Sequence, residues 1–549
     1  MLDWFSALRD PYSLASPAQA RKFAAELDRD LFAAASAISA ELRHFRQEQR
    51  RREARNFAAL LTLDDAVRPV RMRIEQDFLA ASHSRHSLRD RLWETGYELA
   101  QCFSEAYACA FAEGGGARMQ RDVATFATAA VRLLAHRTVA YRYRLYRHEE
   151  WVPASWREIN SHFRAICDSG LESVATPLGT SRSTSAAVTF CVLQLLRLVN
   201  AGSYTPHQTF ALWQKLSEFS KGLRLTPRPS SEAGFVIDLN SGDGLQPRSM
   251  LQQGGQYLFL DTTETFQRMC AWLDKLDRLT AAQSSQGSVD PRSPVALLGL
   301  RSAVLRIDPD FKPLTRASQR NDDRGRLLAA LTIRAAASAL AHDPRVIAAS
   351  LDGTRGQLND NELITMGYIR TSVLKRLRKD LPPDLARLDI RFWHRRDRSD
   401  TGYRAIVAHA GEMKIRLRDV VLLSEDPPNV GWQIAIVVRL LKLPAGHVEL
   451  GLQVISRDAE TIDLAAIRTA GDIYGGDVPT ISLGTTFRGI RLRSAFYGKP
   501  VMGATWILPL SEFAPGTQYS AVVSQRRYEL HQVLAEGADW IWVKPTEIG

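Results

Sequence analysis

Cysteine is scarce in this chain: Cys102, Cys109, Cys167, Cys191 and Cys270 are the only five in 549 residues, an odd number with no C-x-x-C pair. That excludes a disulfide framework and a cysteine-built zinc site. The five read as reduced thiols packed in apolar, helix-patterned segments, Cys102 and Cys109 falling on one helical face. Long apolar runs are missing too. The longest, Ala186 to Val199, is interrupted by Arg197 and falls short of the roughly 20 residues a membrane-crossing helix needs. Met1 to Asp10 has no basic stretch leading into an apolar one, so no export signal is read, and a cytoplasmic protein without a membrane span is expected. Absent as well are the G-x-x-x-x-G-K-[ST], G-x-G-x-x-G, G-x-S-x-G and H-E-x-x-H patterns, and with them the commonest signatures of nucleotide, acyl-transfer and zinc enzymes. The expectation is a protein without catalytic activity, cofactor or metal.

No long block of one charge sign stands out either. The 71 basic residues outnumber the 60 acidic ones, but the two are interspersed. A nucleic-acid surface needs a basic stripe laid between aromatics, and Thr480 to Gly549 mixes acidic residues among its basic ones, so nucleic acid is not the expected partner. Most of the cations are Arg, whose planar fork suits phosphate and guanine. Apolar residues at 45% and charged ones at 24% are globular proportions, and the length calls for roughly two to four cores.

The periodicity divides the chain. From Pro17 to about Lys221 apolar residues recur every three or four positions, as in Val70 to Glu113 and Arg121 to His148, which predicts an α-helical bundle. Phe235 to Asp261 switches to short β-type runs, a helix is expected from Thr263 to Leu279, and the polar stretch Ala281 to Ser293 reads as the main linker. Beyond a helical stretch at Pro294 to Leu305, the runs Asp389 to Trp393, Val420 to Ser424, Trp432 to Leu440 and Val448 to Ile455 have the length and spacing of a small barrel. Gln357 to Pro383 reads as a helical insertion, and Thr480 to Pro545 as a further set of strands rich in Trp and Tyr. The fold class expected is therefore α+β and multi-domain. It comprises a helical domain (1–232), a small mixed α/β connecting segment and linker (233–306), a β-barrel with a helical insertion (307–462) and a second β-rich module (463–549).

Several short patterns carry no chemistry on inspection. His83 and His86 have no further ligands near them in sequence, and Asn240 to Gly244 reads as a hairpin turn without the Lys of a phosphate loop. Gly475 to Val478 (GGDV) is similar to the opening of a diguanylate cyclase loop, but Val478 and Pro479 stand where an acidic residue is required, so it reads as a turn.

Asp397, Ser399 and Gly402 spell D-x-S-x-x-G directly after a strand-like run. Alone, the hexapeptide is an ordinary polar turn in which Asp and Ser bond their own backbone and Gly supplies a positive φ. The residues downstream of it change that reading: the strand-like Val420 to Leu423, then WQIAIVVR (Trp432 to Arg439), then GLQVIS (Gly451 to Ser456). This succession resembles the PilZ domain family, over about 150 residues from near Ile307 to near Ile462. The family's R-x-x-x-R motif on the segment leading into the barrel is matched by Arg316 to Arg320 (RASQR) and again by Arg320 to Arg324. Arg320 stands 77 residues before Asp397, farther than is usual in the family, and the strand-like Leu327 to Ala336 with the helical insertion accounts for the excess. Arg387 to Arg391 and Arg391 to Arg395 also match but leave no room for a first strand. The N-terminal half, with Pro153-Ala154-Ser155-Trp156 opening a short helix, resembles the partner domain of long proteobacterial PilZ-like proteins.

The resemblance implies a receptor for cyclic di-GMP that relays the second messenger to a protein partner. Arg316 and Arg320 would clamp phosphate and guanine, Asp397 would accept from the guanine N1 and N2 hydrogens, and Ser399 and Gly402 would add a polar contact and a close approach. Two other readings stay open: a ligand-free scaffold for protein contact, and a nucleic-acid binder.

Overall fold

The structure is a computed structural model that describes residues 14–49, 57–81, 86–111, 122–177, 183–199, 202–229, 233–251, 257–285, 293–310, 324–345, 347–348, 390–407, 415–426, 431–443, 446–469, 481–497, 499–514 and 516–548. The chain divides into two compact units, residues 1–288 with 296–314 and residues 289–295 with 315–549. The architecture is α+β: a helical first unit and a strand-rich second one.

In the first unit α1 (Pro17–Ala25), α2 (Leu31–Gln49), α3 (Phe57–Ala66), α4 (Arg68–Ala80), α5 (His86–Ala108), α6 (Val123–Tyr146), α7 (Pro153–Asp168), α8 (Ala186–Val199) and α9 (Pro206–Phe219) pack around one apolar core. Their starts follow sequence chemistry. Asp122 accepts from the Thr125 N–H at 3.1 Å, and Thr205 with Gln208 forms a reciprocal capping box ahead of Pro206. The central helix α6 buries seventeen of its 24 residues. It lies against α5 at Gly96, where a Cβ would collide with the Tyr143 hydroxyl. A two-residue pair, β1 (Thr176–Pro177) with β2 (Ser183–Thr184), precedes α8.

Residues 224–261 contribute a sheet of four strands rather than the strand pair the sequence suggests. Its members are β3 (Arg224–Thr226), β4 (Phe235–Asp238), β5 (Leu245–Pro247) and β6 (Tyr257–Asp261), in the order β3-β6-β4-β5. Strands β3 and β5 have three residues each, too few to show a period. Phe235, Ile237 and Leu260 join the helical core, and the turn between β4 and β5 is a hairpin closed by Asp238 accepting from the Asn240 N–H at 2.8 Å. Helices α10 (Thr263–Ser285) and α11 (Ser293–Arg306) come next.

The second unit opens with β7 (Gly325–Leu331). The strand-like pattern of Leu327 to Ala336 stops early because Thr332 takes a positive φ of 72° and its hydroxyl caps α12 (Ile333–Ala339) by accepting from the Ala335 N–H. Then come β8 (Ile390–Ser399), β9 (Gly402–Val407), β10 (Val420–Asp426), β11 (Gln433–Lys442) and β12 (Val448–Ser456). All pairs are antiparallel, and the six strands close into a barrel in the order β7-β8-β9-β12-β11-β10. Trp393, Tyr403, Ala405, Val421, Leu423 and Leu450 belong to its buried interior. The helical insertion expected at Gln357 to Pro383 lies outside the described residues.

The β-rich module beyond it is a second closed barrel. Its strands are β13 (Asp458–Thr469), β14 (Ile481–Tyr497), β15 (Lys499–Val501), β16 (Thr505–Pro509), β17 (Gln518–Ala521), β18 (Arg527–Glu536) and β19 (Trp540–Ile548). The β13–β14 pairing completes the ring β13-β14-β16-β19-β18-β17, with β15 as a short flap on β14. With that flap set aside and the strands numbered from each barrel's first, both barrels run 1-2-3-6-5-4 around the ring. The linear sequence hides this kinship, because pairs such as β9 with β12 and β16 with β19 are far apart in the chain. A shared apolar layer joins the two barrels: Leu328, Val420, Leu422 and Ile434 of the first meet Ile490, Leu492, Trp540 and Trp542 of the second, with α12 in the same cluster. Trp540 fixes the contact by donating its indole N–H to the Arg418 carbonyl at 2.7 Å.

Candidate functional site

The D-x-S-x-x-G residues form the tight hairpin between β8 and β9, strands two and three of the first barrel. Asp400 and Thr401 are the turn, and Ser399 pairs with Gly402 across it. The Ser399 hydroxyl donates to the Gly402 carbonyl at 3.2 Å, the local bond expected of a polar turn. The reason for glycine differs from the expectation for an isolated turn: Gly402 is not among the positive-φ residues. A Cβ there would meet the Leu452 carbonyl oxygen at 2.0 Å, so glycine is required by the close approach of β12.

Asp397 sits at a bulge. The β8–β9 register shifts between Arg395 and Asp397, turning the Asp397 side chain opposite Arg404. The side chains alternate from there. Tyr403 and Ala405 belong to the interior cluster, whereas Arg404 stands between them in sequence and forms ion pairs across the strands. Asp397 and Arg404 approach to 3.8 Å, Arg404 pairs closely with Glu449, and Glu449 and Arg439 approach to 3.3 Å. Four adjacent strands thus carry a ladder of alternating charge. Asp397 is 9% exposed and Glu449 4%, while the Arg404 side chain is 40% exposed. The two cations, Arg404 and Arg439, are the accessible part of the ladder.

A second polar group closes the interior at the same end. Glu425 accepts from the Tyr403 hydroxyl at 2.7 Å and pairs with Arg395 at 3.2 Å and Arg398 at 3.1 Å. Burial, then the bond to Glu425, pushes the Tyr403 phenol up to about 12, so it remains a donor at neutral pH. Arg395 also lies against the start of β7, its Nη2 only 2.7 Å from where a Gly325 Cβ would be.

Where the chain leads into this barrel decides which residues meet the hairpin. Gly325, the first residue of β7, is paired with Arg395, two positions before Asp397. Arg324, exposed, immediately precedes it. Arg316 and Arg320 lie outside the described residues. The long interval from Arg320 to Asp397 falls between strands one and two of the barrel, after β7 rather than before it. Of the competing arginines, Arg391 and Arg395 are inside β8 itself, and Arg387 is outside the described residues. His83 and Gly475 to Val478 are outside them as well.

Sequence reasoning found the hairpin and missed Arg404, Glu449, Arg439 and the Arg395–Glu425–Tyr403 group. Those partners come from different strands, and the signal available for them was the inside-outside alternation of Tyr403-Arg404-Ala405. Among the described residues no group of three or more His, Cys, Asp or Glu is placed to hold a metal, and no helix is long and apolar enough to cross a membrane.

Comparison with known families bears on the helical unit. Residues 18–230 match the family described as cyclic-di-GMP receptor FimW, N-terminal domain. The resemblance to a cyclic di-GMP receptor family read from the sequence is met by this match, which falls on the opposite half of the chain from the D-x-S-x-x-G hairpin. No curated protein and no solved structure matches the chain.

Proposed function

We propose that the chain is a binding effector for cyclic di-GMP, without catalytic activity, whose ligand lies against the β8–β9 hairpin and is held by arginines of the segment leading into β7. The observation that carries this reading is the pairing of Gly325 with Arg395: strand one begins beside the hairpin that bears Asp397, Ser399 and Gly402. Arg320 precedes Gly325 by five residues, a chain length of at most about 17 Å, which is within reach of that hairpin. The name of the family matched by residues 18–230 supports the same ligand independently.

The chemistry is that of anion and guanine recognition. Guanidinium groups at 316 and 320 supply forks for phosphate oxygens and for guanine N7 and O6. Arg404 is held from one side by Glu449 and only loosely by Asp397, at 3.8 Å. A phosphate arriving at this face draws Arg404 outward and frees the Asp397 carboxylate to accept from a guanine edge. Nothing in the arrangement requires a nucleophile or a base, so its output is a change in which conformation is populated, read by a protein partner.

The test is calorimetric titration of the full chain with cyclic di-GMP, beside Arg320→Ala and Asp397→Ala. Each substitution is expected to weaken binding by about tenfold or more, the worth of one bidentate contact. Absence of binding by the unmodified chain would remove the sensing role and leave the barrel as a scaffold.

A further inference from the structure

The first unit contains a cleft of about 870 Å³ between α4, α5, α6, α8 and α9, remote in sequence from the hairpin and with no part in the reading above. Its volume lies within the roughly 300–1,000 Å³ of small-molecule sites. The lining is rich in cations: Arg71 and Arg132 are paired with Asp64 and Asp65, Arg142 with Glu75 and Arg268 with Glu264, and Arg68 and Lys221 stand at the rim.

The floor holds polar groups that the protein leaves unsatisfied. Arg142 is 1% exposed, with Nη2 on Glu75 at 2.8 Å and its guanidinium 3.6 Å over the Trp213 ring. Its Nε and Nη1 have no hydrogen-bond partner. These two nitrogens carry three N–H donors, which left without acceptors would cost several kcal/mol, roughly 1–3 apiece, so such groups are ordinarily completed by water, an ion or a ligand. His136, 2% exposed, also lines the cleft. Its Nε2 faces the Asp64 carboxylate at 3.0 Å and so carries the proton, and burial keeps the ring neutral. The other nitrogen, Nδ1, is then an acceptor, and it too has no partner. Phe210, Val139, Val188 and Val192 supply apolar wall.

We infer that this cleft is a ligand site for a phosphorylated ring compound of nucleotide size. The phosphate meets the free edge of Arg142 with Arg71 and Arg132 behind it, the ring lies on the apolar wall, and a ring or sugar N–H or O–H donates to His136. Arg68, Lys221 and Arg268, all exposed at the rim, draw the anion in. Several oxygens of one phosphate can reach the unpartnered edge of Arg142 and the rim cations Arg68 and Lys221 together, whereas a carboxylate would use one fork, which is why phosphate is the chemistry assigned.

The full chain carrying Asp397→Ala, which weakens the hairpin site, is the protein to titrate, with GMP, GTP, cyclic di-GMP and inorganic pyrophosphate as probes. At least one nucleotide is expected to bind, pyrophosphate about tenfold or more weaker for want of a ring, and Arg142→Lys to weaken the nucleotide about tenfold by removing the fork. Val188→Trp, which fills the cleft without touching a charge, is expected to abolish binding and serves where Arg142→Lys does not fold. No nucleotide binding by the Asp397→Ala chain, pyrophosphate binding as tightly as the nucleotides, or binding unaltered by Val188→Trp would each overturn the assignment. Because Val188→Trp fills the cleft and leaves the hairpin, hairpin binding is read in the Val188→Trp chain, and cleft binding is the part of the Asp397→Ala signal that Val188→Trp removes; either site can fail without the other.

Discussion

Replacing Gly402 with Ala adds one methyl group where the hairpin crosses β12, and the structure sets what that costs. The new Cβ would stand 2.0 Å from the Leu452 carbonyl oxygen and 3.3 Å from the Gln453 Cα. A relaxed C···O contact is about 3.3–3.6 Å, so one strand has to withdraw by more than about 1 Å. The Leu452 carbonyl is backbone in a closed ring and has no side-chain rotation with which to yield. Withdrawal breaks the Val454 N–H to Thr401 carbonyl bond, 2.9 Å long, and unpairs Gly402 from Gln453 at the end of the ladder. With about 1 kcal/mol lost per hydrogen bond and more for each group left buried and unpaired, the cost is about 2–4 kcal/mol. For a unit of this size that lowers the melting temperature by roughly 5–15 °C. Thermal melts of the full chain followed by circular dichroism read the shift. Cyclic di-GMP titration is expected to weaken in the same variant, because Asp397 and Ser399 ride on the displaced hairpin. A Gly402→Ala chain that melts and titrates like the unmodified protein would refute both the packing argument and the position given to the ligand.

Two further perturbations test the electrostatics. Asp64 is fully buried among Arg71, Arg132, His136 and Tyr107. Burial alone would raise its pKa, but Arg71, His136 and Arg132 overcome that and hold it far below the usual carboxylate range. The stability this gives is present above about pH 4, the unfolded value, and is lost as the pH falls below it. Asp64→Asn is therefore expected to cost about 3–5 kcal/mol at neutral pH by stranding two guanidinium groups, and to flatten the acid limb of a pH–melting profile; an unchanged profile would count against the cluster. Asp419 behaves in the opposite sense, since burial and the nearby Asp539 push its pKa up to about 7. The folded state holds a proton there that the unfolded chain releases near pH 4, so its unit loses stability as pH rises from about 4 to 7. Asp419→Asn, which keeps an oxygen for the Arg416 N–H, is expected to raise the melting temperature at pH 8 and leave it nearly unchanged at pH 4; equal shifts at both would refute the assignment.

How much of this was legible in the sequence depends on how local each feature is. The runs Val420 to Ser424, Trp432 to Leu440 and Val448 to Ile455 are seen as strands of nearly those bounds, because a strand buried on both faces prints a short continuous apolar run between turn residues. The D-x-S-x-x-G turn is equally local. Within the helical run Val70 to Glu113 the described residues form α4, ending at Ala80, and α5, from His86 to Ala108, both with the helical period read from the sequence. What stayed hidden is relational. The ring order shared by the two barrels rests on pairs such as β13 with β17, and the charge ladder joins residues of four strands. Neither leaves a spacing to read. The arginine-rich cleft was invisible for the same reason: Arg71, Arg132 and Arg142 belong to different turns of two helices, and only packing gathers them around one cleft with Trp213.

Hydrogen exchange of the hairpin amides in the full chain, measured with and without saturating cyclic di-GMP, is the most direct test of a ligand seated between the hairpin and the segment before β7. Slower exchange at Arg398 to Arg404, with the residues just ahead of Gly325 protected alongside, is the expected result. Binding that leaves those amides exchanging at their original rates would contradict it.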